Sequence, residues 1–282
     1  MYKEFVPKKQ HKRSGLLGFL KNEDNMKSYR LTFFRAMLTV AIGILSAVTV
    51  HADVEKFHGK AVNSDGEVIF FEEHTLRYEN NQIASMNTIY YDANLKKIGE
   101  LVSDFSQNSH LGSYDFRDDR LRYIDGAKVM QDQILIYSKK TPEAGIQEKY
   151  IRREPGQIVG QGLHSFILEN LDVLAKGEII PFKLVLPAQM DQFNIRIRKS
   201  NLEDDRIVLR IELDNWFLRL FASHIQVEYD MDTRQLLSYQ GVSVVADESG
   251  KTVPVTISYA YSQSDFLLGG RMETEASLQS SN

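Results

Sequence analysis

A glutamate and a histidine stand two positions apart in an alternating segment, at Glu72 and His74. Residues two apart on a β-strand project from the same face, so these side chains are predicted to lie side by side. A carboxylate and an imidazole held in a cavity can titrate near neutral pH or bind the polar head of a ligand. Alternatively, this end of the strand emerges into water and both side chains are solvated. A pair of ligands without a third predicts no metal site.

Few other catalytic patterns occur in the sequence. It has no zinc-binding helix motif, no phosphate-binding loop and no dinucleotide fingerprint. Ser165 follows Gly162 and His164, but no glycine closes the motif, so a nucleophile elbow is not encoded. The chain has no cysteine, which excludes disulfides and thiolate metal sites. We predict no cofactor and favour a binding protein over an enzyme.

Alternation of apolar and polar residues dominates the second half of the chain. Each alternating segment predicts an antiparallel strand with one buried face and one solvated face. Arg196, Arg198 and Arg210 fall on the polar faces, where we expect them to be solvated. The clearest segments are residues 193–198, 207–213, 225–230 and 253–259.

Turn-forming residues separate these segments at short intervals. Asp125-Gly126 favours a tight hairpin turn, and Asp204-Asp205 is typical of a surface turn. Other signals are residues 63–66, 79–81, 92–94, 230–233 and 248–250. About eleven strands are predicted, and a sheet of that size curls or closes. The fold class is therefore mainly β, a strongly curved antiparallel sheet or incomplete barrel with one or two helices packed on or in it.

A helix is predicted from Gly162 to Lys176. Its apolar residues recur at helical spacing and Gly177 follows as a terminating residue. This segment is also the one place with room for a parallel crossover. Residues 215–222 form a second candidate, with Trp216 and Phe217 on one face, although the same run could be a buried strand.

The first part of the chain has the layout of an export signal. Lys27, Arg30 and Arg35 precede an uncharged run over residues 36–50, and Val50-His51-Ala52 places small or modest side chains before Asp53. A basic front, a short apolar core and such an end predict a cleavable signal peptide over residues 26–52. An uncleaved membrane anchor is the alternative, but the uncharged run is shorter than the ~20 residues that a spanning helix needs. Residues 1–25 are polar and basic, and translation could begin at Met26.

Removal of the leader makes the chain acidic. The first 52 residues hold nine basic and three acidic side chains, which leaves 25 Lys and Arg against 35 Asp and Glu, a net charge of −10. This balance argues against nucleic acid and against electrostatic docking on anionic lipid. We predict a periplasmic protein with one β-rich domain over residues 53–261 and a flexible tail over residues 262–282. Its contact with the membrane is expected to be transient, through the signal peptide.

Several short motifs resemble an uncharacterised family of secreted bacterial β-sheet proteins. They occupy residues 57–61, 72–74, 90–92, 229–233, 236–237, 239–241 and 255–259. The order of many strands with one inserted helix is also loosely similar to the periplasmic lipoprotein carriers, which wrap an incomplete barrel around an apolar cavity. The family resemblance implies an envelope protein of a Gram-negative cell with no established activity.

The favoured function is a non-catalytic carrier for an apolar ligand, such as a lipid, an acyl chain or an apolar peptide. Its predicted ligand-binding residues are Phe70, Glu72, His74, Phe166, Trp216 and Phe217, although each aromatic could equally belong to the core. The alternatives are a module that binds another envelope protein, and a hydrolase whose site the motifs do not reveal.

Overall fold

Fifteen strands form one sheet in the part of the chain that the computed structural model describes, residues 53–220 and 224–262. The predicted leader and the tail after Ser262 lie outside that part. The strands are β1 (Val54–Val62), β2 (Val68–Glu79), β3 (Gln82–Asp92), β4 (Lys97–Asp104), β5 (Ser113–Asp118), β6 (Tyr123–Val129), β7 (Gln133–Lys139), β8 (Gln147–Arg152), β9 (Gln157–Val159), β10 (Ile179–Leu186), β11 (Asp191–Glu203), β12 (Arg206–Leu213), β13 (Ile225–Asp230), β14 (Leu236–Ala246) and β15 (Thr252–Ala260).

The first strand, β1, lies in the middle of the sheet, and the other strands extend from it on both sides. Strands β1 to β8 follow one another outward as antiparallel neighbours, and β10 to β15 return toward the centre, where β15 pairs with β1. The short strand β9 lies parallel to β10 at the far edge. All other neighbours in this sheet are antiparallel. The predicted curved antiparallel sheet is confirmed.

The two edges of the sheet lie close together in space. Only four residues separate β8 from β9, and a chain that short spans no more than ~18 Å. Lys149 on β8 forms an ion pair with Asp191 at the start of β11, at 3.0 Å. An isolated bridge also joins Leu111 to Val159 of β9. The sheet curls almost into a barrel, but β8 and β9 do not pair and it stays open.

One α-helix lies in the described chain, α1 (Gly162–Ala175), between β9 and β10. It therefore makes the predicted parallel crossover. Ile167, Leu171 and Leu174 are buried in a core with inward residues of β10 to β13. Gly177 ends the helix with a φ of 94°, a left-handed conformation that favours glycine.

The strand count of about eleven was wrong, since the sheet has fifteen strands. Two of the turns that were not predicted, at residues 119–122 and 130–132, contain no glycine or proline. Asn80-Asn81 and Asp204-Asp205 both adopt positive φ, which confirms the turns predicted there. Asp125-Gly126, however, lies inside β6, where Asp125 pairs with Phe116 of β5. The hairpin turns three to six residues earlier, at residues 119–122, so the predicted Asp-Gly turn was wrong.

The second predicted helix is reduced to a short 3₁₀ turn. Within the described residues of that segment, Leu218–Leu220 are the only helical ones, and residues 221–223 lie outside the description. Trp216 and Phe217 are exposed instead of sharing a packed face, which also rules out a buried strand at these two positions. Another 3₁₀ turn, Pro187–Gln189, joins β10 to β11.

Candidate functional site

Glu72 and His74 lie side by side on the inward face of β2. Each is only 5% exposed, and His74 Nε2 is 2.9 Å from Glu72 Oε2. Phe70 precedes them on the same face and is fully buried in the core. The strand end does not emerge into water at this point, so the solvated alternative was wrong.

A single chain of hydrogen bonds runs from α1 into this pair. Ser103 Oγ donates to Gln161 Oε1, and Gln161 Nε2 donates to Thr88 Oγ1, each at 2.8 Å. The Thr88 hydroxyl is then free to donate to His74 Nδ1, also at 2.8 Å. This direction leaves the proton of a neutral His74 on Nε2, where it is donated to the Glu72 carboxylate. Every polar side chain in this hydrogen-bond network therefore has a partner.

Aromatic rings enclose the pair. The His74 ring stacks on Phe57 with centroids 4.3 Å apart, and Tyr259 meets it edge-on at 5.7 Å. The Tyr259 hydroxyl also bonds to Glu72, and burial, reinforced by the Glu72 charge, raises the pKa of Tyr259 well above 10. Gly59 makes room for this arrangement, since a Cβ there would lie 2.8 Å from Glu72 Oε2 and 2.9 Å from the Tyr259 ring.

The order of Thr88, His74 and Glu72 matches the nucleophile, base and acid of a catalytic triad. Thr88 is, however, 0% exposed, and its hydroxyl is held by Gln161 as well as His74. A substrate carbonyl has no route to that oxygen in this structure. The network is suited to fixing α1 against β2, β3 and β4, because Gln161 immediately precedes the helix.

His164, in the first turn of α1, makes a separate polar contact. Its Nδ1 is 2.8 Å from the Tyr229 hydroxyl, and the two rings stack. Burial lowers the pKa of His164 to about 4, with the charge of His74 as a smaller cause. His164 is therefore neutral at physiological pH. Its place in the first helical turn was predicted, whereas its contact with β13 was not.

A second buried carboxyl, Asp125, faces the inside of the curved sheet from β6. Tyr123 donates to it at 2.6 Å, and Tyr114 also bonds to it. Burial raises the pKa of Asp125 to about 6, against the lowering effect of these two hydrogen bonds. Asp125 had been interpreted as a turn residue, so its role as a buried acid was missed.

A cleft of about 610 Å³ opens beside the other side of α1, where the two edges of the sheet approach. Its floor is apolar and combines Phe166 of α1 with buried Ile158 and Phe182. Phe166 packs against Phe182 at 5.3 Å and meets the His110 ring edge-on at 5.4 Å. Of the predicted ligand-binding residues, Phe166 is the one that lines this cleft.

The loop before β5 holds the wall of the cleft against α1. His110 Nε2 and Ser109 Oγ both bond to the Glu169 carboxylate, at 2.8 and 2.9 Å. Gly162 starts the helix directly against the His110 carbonyl, where a larger side chain would collide with backbone. The position of this loop, and with it the wall of the cleft, therefore depends on the position of α1.

Charged residues form the rim of this cleft. Glu154 pairs with Lys183, and Arg153 Nη1 donates to the carbonyls of Met130 and Gln131 at 3.4 Å. The exposed Arg152 guanidinium makes no hydrogen bond or ion pair within the described part of the chain. The rim thus offers the donors of one guanidinium, which also attracts the neighbouring Glu154, beside an apolar floor.

The predicted ligand-binding residues fall into three separate places. Phe70, Glu72 and His74 lie in the buried interior, and Phe166 lines the cleft. Trp216 and Phe217 lie on the connection from β12 to β13 and are 69% and 53% exposed. The partners Thr88, Ser103 and Gln161 were missed, since isolated polar residues of these types carry no motif.

No metal centre or membrane-spanning helix emerges from residues 53–220 and 224–262. In those ranges no three His, Cys, Asp or Glu side chains are close enough to hold a metal ion. No helix there is both long enough and apolar enough to span a bilayer.

Comparison with known proteins adds one distant neighbour. No family model and no curated protein matches the chain. A similar solved structure is the β-barrel-like protein of domain of unknown function DUF1849 from Brucella abortus. The two chains are 6% identical, with a TM-score of 0.37 over 75% of this chain and 98% of that one. That neighbour is a β-sheet protein of unknown activity, and membership of the family that the sequence resembles stays a prediction.

Proposed function

We propose that this chain is an exported, non-catalytic binding module that carries an amphiphile with an apolar tail. The observation that carries the proposal is the cleft of about 610 Å³ with an apolar floor and a charged rim. Its volume is within the range of ~300 to 1,000 Å³ that small-molecule sites occupy. Export through residues 26–52 belongs to the same proposal, because it would bring the cleft into the envelope.

The floor supports an apolar tail. Phe166, Phe182 and Ile158 present ring and aliphatic surface, and an acyl chain laid on them would remove apolar area from water. Phe166 is partly buried, so it can contact a ligand without leaving the helix face that packs on the sheet.

The rim supports an anionic head. Arg152 has uncommitted donors and stands next to the floor, and a guanidinium binds a carboxylate or phosphate through two parallel hydrogen bonds. A fatty acid or a related monoacyl lipid satisfies both parts of the cleft.

Displacement of a fluorescent fatty acid tests the binding. Phe166→Glu is expected to weaken palmitate binding at least tenfold, because the acyl chain of palmitate would bury the new charge. Arg152→Gln is expected to weaken palmitate about tenfold and to leave hexadecanol unchanged, since the alcohol has no charge. Tyr150→Glu, on the exposed face of β8, is the matched control and should bind normally. Palmitate affinity that is unchanged in Phe166→Glu would refute the cleft as the site.

The export part has an independent test. Periplasmic protein from a Gram-negative host should have a mass that begins at Asp53. A full-length chain that stays in the membrane fraction would contradict cleavage, whatever the cleft binds.

A protein-binding role is the second candidate, and the free edge of β8 favours it. This strand ends the sheet, and Ile146 and Tyr150 are exposed beside it. An extended segment of another envelope protein could add a strand there. Co-isolation of a partner that Tyr150→Glu abolishes and Phe166→Glu preserves would favour this function over the carrier.

A further inference from the structure

Four arginines converge on one glutamate on the outer face of β11 and β12. Glu212 is only 7% exposed, and Arg196 forks onto its Oε1 with Nε at 2.9 Å and Nη2 at 2.7 Å. The other three approach it with Arg198 Nε at 3.2 Å, Arg210 Nε at 3.0 Å and Arg219 Nε at 4.0 Å. We name these five residues the arginine cluster.

The arginine cluster carries more positive charge than its acids balance. Glu212 offsets one of the four arginines, and two positive charges remain even when the exposed Asp214, which follows β12, is counted in full. The guanidinium side chains keep between 20% and 34% of their surface exposed. Each has five donors, so several N–H groups remain directed at solvent. The cluster is therefore an anion-attracting surface within an acidic chain.

An exposed apolar tip lies next to the arginine cluster. Trp216, Phe217 and Leu218 follow one another in sequence and are 69%, 53% and 49% exposed. Exposed apolar residues that form a contiguous patch mark interaction sites, whereas isolated ones do not. We name them the apolar tip.

The apolar tip is held in a defined position. Asn215 Oδ1 accepts the backbone N–H groups of Phe217 and Leu218, at 2.9 and 3.2 Å. Arg219 Nη1 donates to the carbonyls of Leu213 and Asp214, at 3.1 and 2.9 Å. Because Arg219 also faces Glu212, the same side chain ties the tip to the arginine cluster.

We propose that the arginine cluster and the apolar tip together dock on an anionic phospholipid membrane surface. The arginines would pair with headgroup phosphates, which a planar guanidinium can bind through two hydrogen bonds. Tryptophan is preferred at the membrane interface, where its ring is apolar and its N–H stays hydrated. Charge complementarity selects this occupant, since an uncharged apolar partner would leave the excess arginines unpaired.

The acidic remainder of the chain gives the docking an orientation. Outside the leader the net charge is −10, so most of the surface is repelled by anionic lipid. The arginine cluster is the exception, and the molecule would approach with β11, β12 and the apolar tip facing the bilayer. This surface is distinct from the cleft, and its docking does not depend on any ligand there.

The experiment uses Trp216, which is the single tryptophan of the chain. Full-length protein is titrated with vesicles of phosphatidylglycerol and phosphatidylcholine, or of phosphatidylcholine alone. The tryptophan emission is expected to shift to shorter wavelength on the anionic vesicles only, and 0.5 M salt should reverse the shift because it screens the attraction. Residues 1–52 are present in every variant and cannot account for a difference between variants.

Variants separate the two parts of the surface. Arg198→Gln should weaken binding to the anionic vesicles about fivefold, the contribution expected of one basic residue near such a surface. Leu218→Ser should reduce the emission shift, and Trp216→Ser should lower co-sedimentation. Arg117→Gln and Ile146→Ser change residues elsewhere that are at least as exposed, and these variants should bind normally. Thermal unfolding checks that each variant is folded.

Three results would overturn the proposal. The first is that the tryptophan emission does not shift, and the second is that it shifts equally on neutral and anionic vesicles. The third is that Arg198→Gln and Leu218→Ser are both folded and both bind the anionic vesicles as the wild type does. Loss of fatty-acid binding by Phe166→Glu bears on the cleft alone, so the two proposals fail separately.

Discussion

Glu72 and Glu212 are almost equally buried, on opposite faces of the same sheet, and their partners differ in kind. Glu72 receives hydrogen bonds from a histidine and a tyrosine, and the residues behind the histidine, Thr88, Gln161 and Ser103, are polar but uncharged. Glu212 is enclosed by arginines that outnumber it. One carboxylate sits within a closed, fully satisfied network, and the other holds together an excess of positive charge.

The surroundings of the two glutamates indicate different roles. The site around Glu72 is structural, whereas the surface around Glu212 can still bind a ligand. A satisfied network fixes geometry and has nothing left to offer a partner. In the arginine cluster Glu212 is also buried, but the arginines around it keep unused donors and part of their surface exposed. Burial alone would raise the pKa of Glu212. Hydrogen bonds from Arg196 and Arg198 outweigh burial and hold this pKa below its ordinary value. Glu212 therefore stays charged over the pH range in which the protein would work.

The largest effect is expected from Glu212→Gln. Without the carboxylate, four arginines repel one another, and the free energy of unfolding should fall by about 3 kcal/mol, as when one partner of a buried pair is removed. Urea unfolding measures this loss. It should shrink in 0.5 M salt, which screens the repulsion.

Glu228→Gln is the matched control for Glu212→Gln. Glu228 lies on the neighbouring strand β13 and is 4.0 Å from the exposed Arg206, so its loss should cost less than about 1 kcal/mol. Equal losses in the two variants would show that the arginines do not depend on Glu212.

A second large effect concerns pH and the interior carboxyl Asp125, which, like Glu72, has tyrosine donors. Its folded pKa of about 6 lies above the ordinary 3.8, so the folded state takes up the proton first as pH falls. Stability from this group should therefore rise by about 2 kcal/mol between pH 7 and pH 4, and Asp125→Asn should remove the rise. Urea midpoints at these two pH values measure it.

The wild-type curve alone does not isolate Asp125, because His164 acts in the opposite direction. Its folded pKa of about 4 lies below the ordinary 6.5, so stability is lost as pH falls through that interval. The difference between Asp125→Asn and wild type at each pH cancels the His164 contribution. A difference that is constant from pH 7 to pH 4 would contradict burial of an ionised Asp125.

A smaller effect than that of Glu212→Gln is expected from Glu72→Gln. The amide oxygen can still accept from His74, so the free energy of unfolding should fall by only about 1 to 2 kcal/mol. Salt should leave this loss unchanged, in contrast with Glu212→Gln. A loss above that of Glu212→Gln, or one that salt reverses, would remove the distinction between the two faces.

Patterns that depend on local periodicity could be predicted from the sequence. The shared face of Glu72 and His74 follows from alternation, and the bounds of α1 follow from its apolar stripe and Gly177. The outer position of Arg196, Arg198 and Arg210 was also confirmed, since they oppose the buried isoleucines and leucine of the same strands. The expectation that they are solvated was wrong, because they are partly buried and form ion pairs with Glu212.

Contacts between distant parts of the chain could not be predicted in this way. Thr88 meets Gln161 across 73 residues, and no local pattern marks such a pair. Asp125 was misplaced because Asp-Gly has a strong turn preference that tertiary packing overrode. The convergence of four arginines on Glu212 needed the register of β11 against β12, where Arg196 faces Glu212 directly.

The pairing of β1 with β15 sets the order in which the sheet can be completed. His58 is opposite Ala260 in this seam, so the first strand of the described chain waits for a partner at the other end of that part. Contacts of such long sequence separation form slowly. A chain emerging from the ribosome therefore keeps its central seam open until β15 has been synthesised, a delay that would suit the export proposed above.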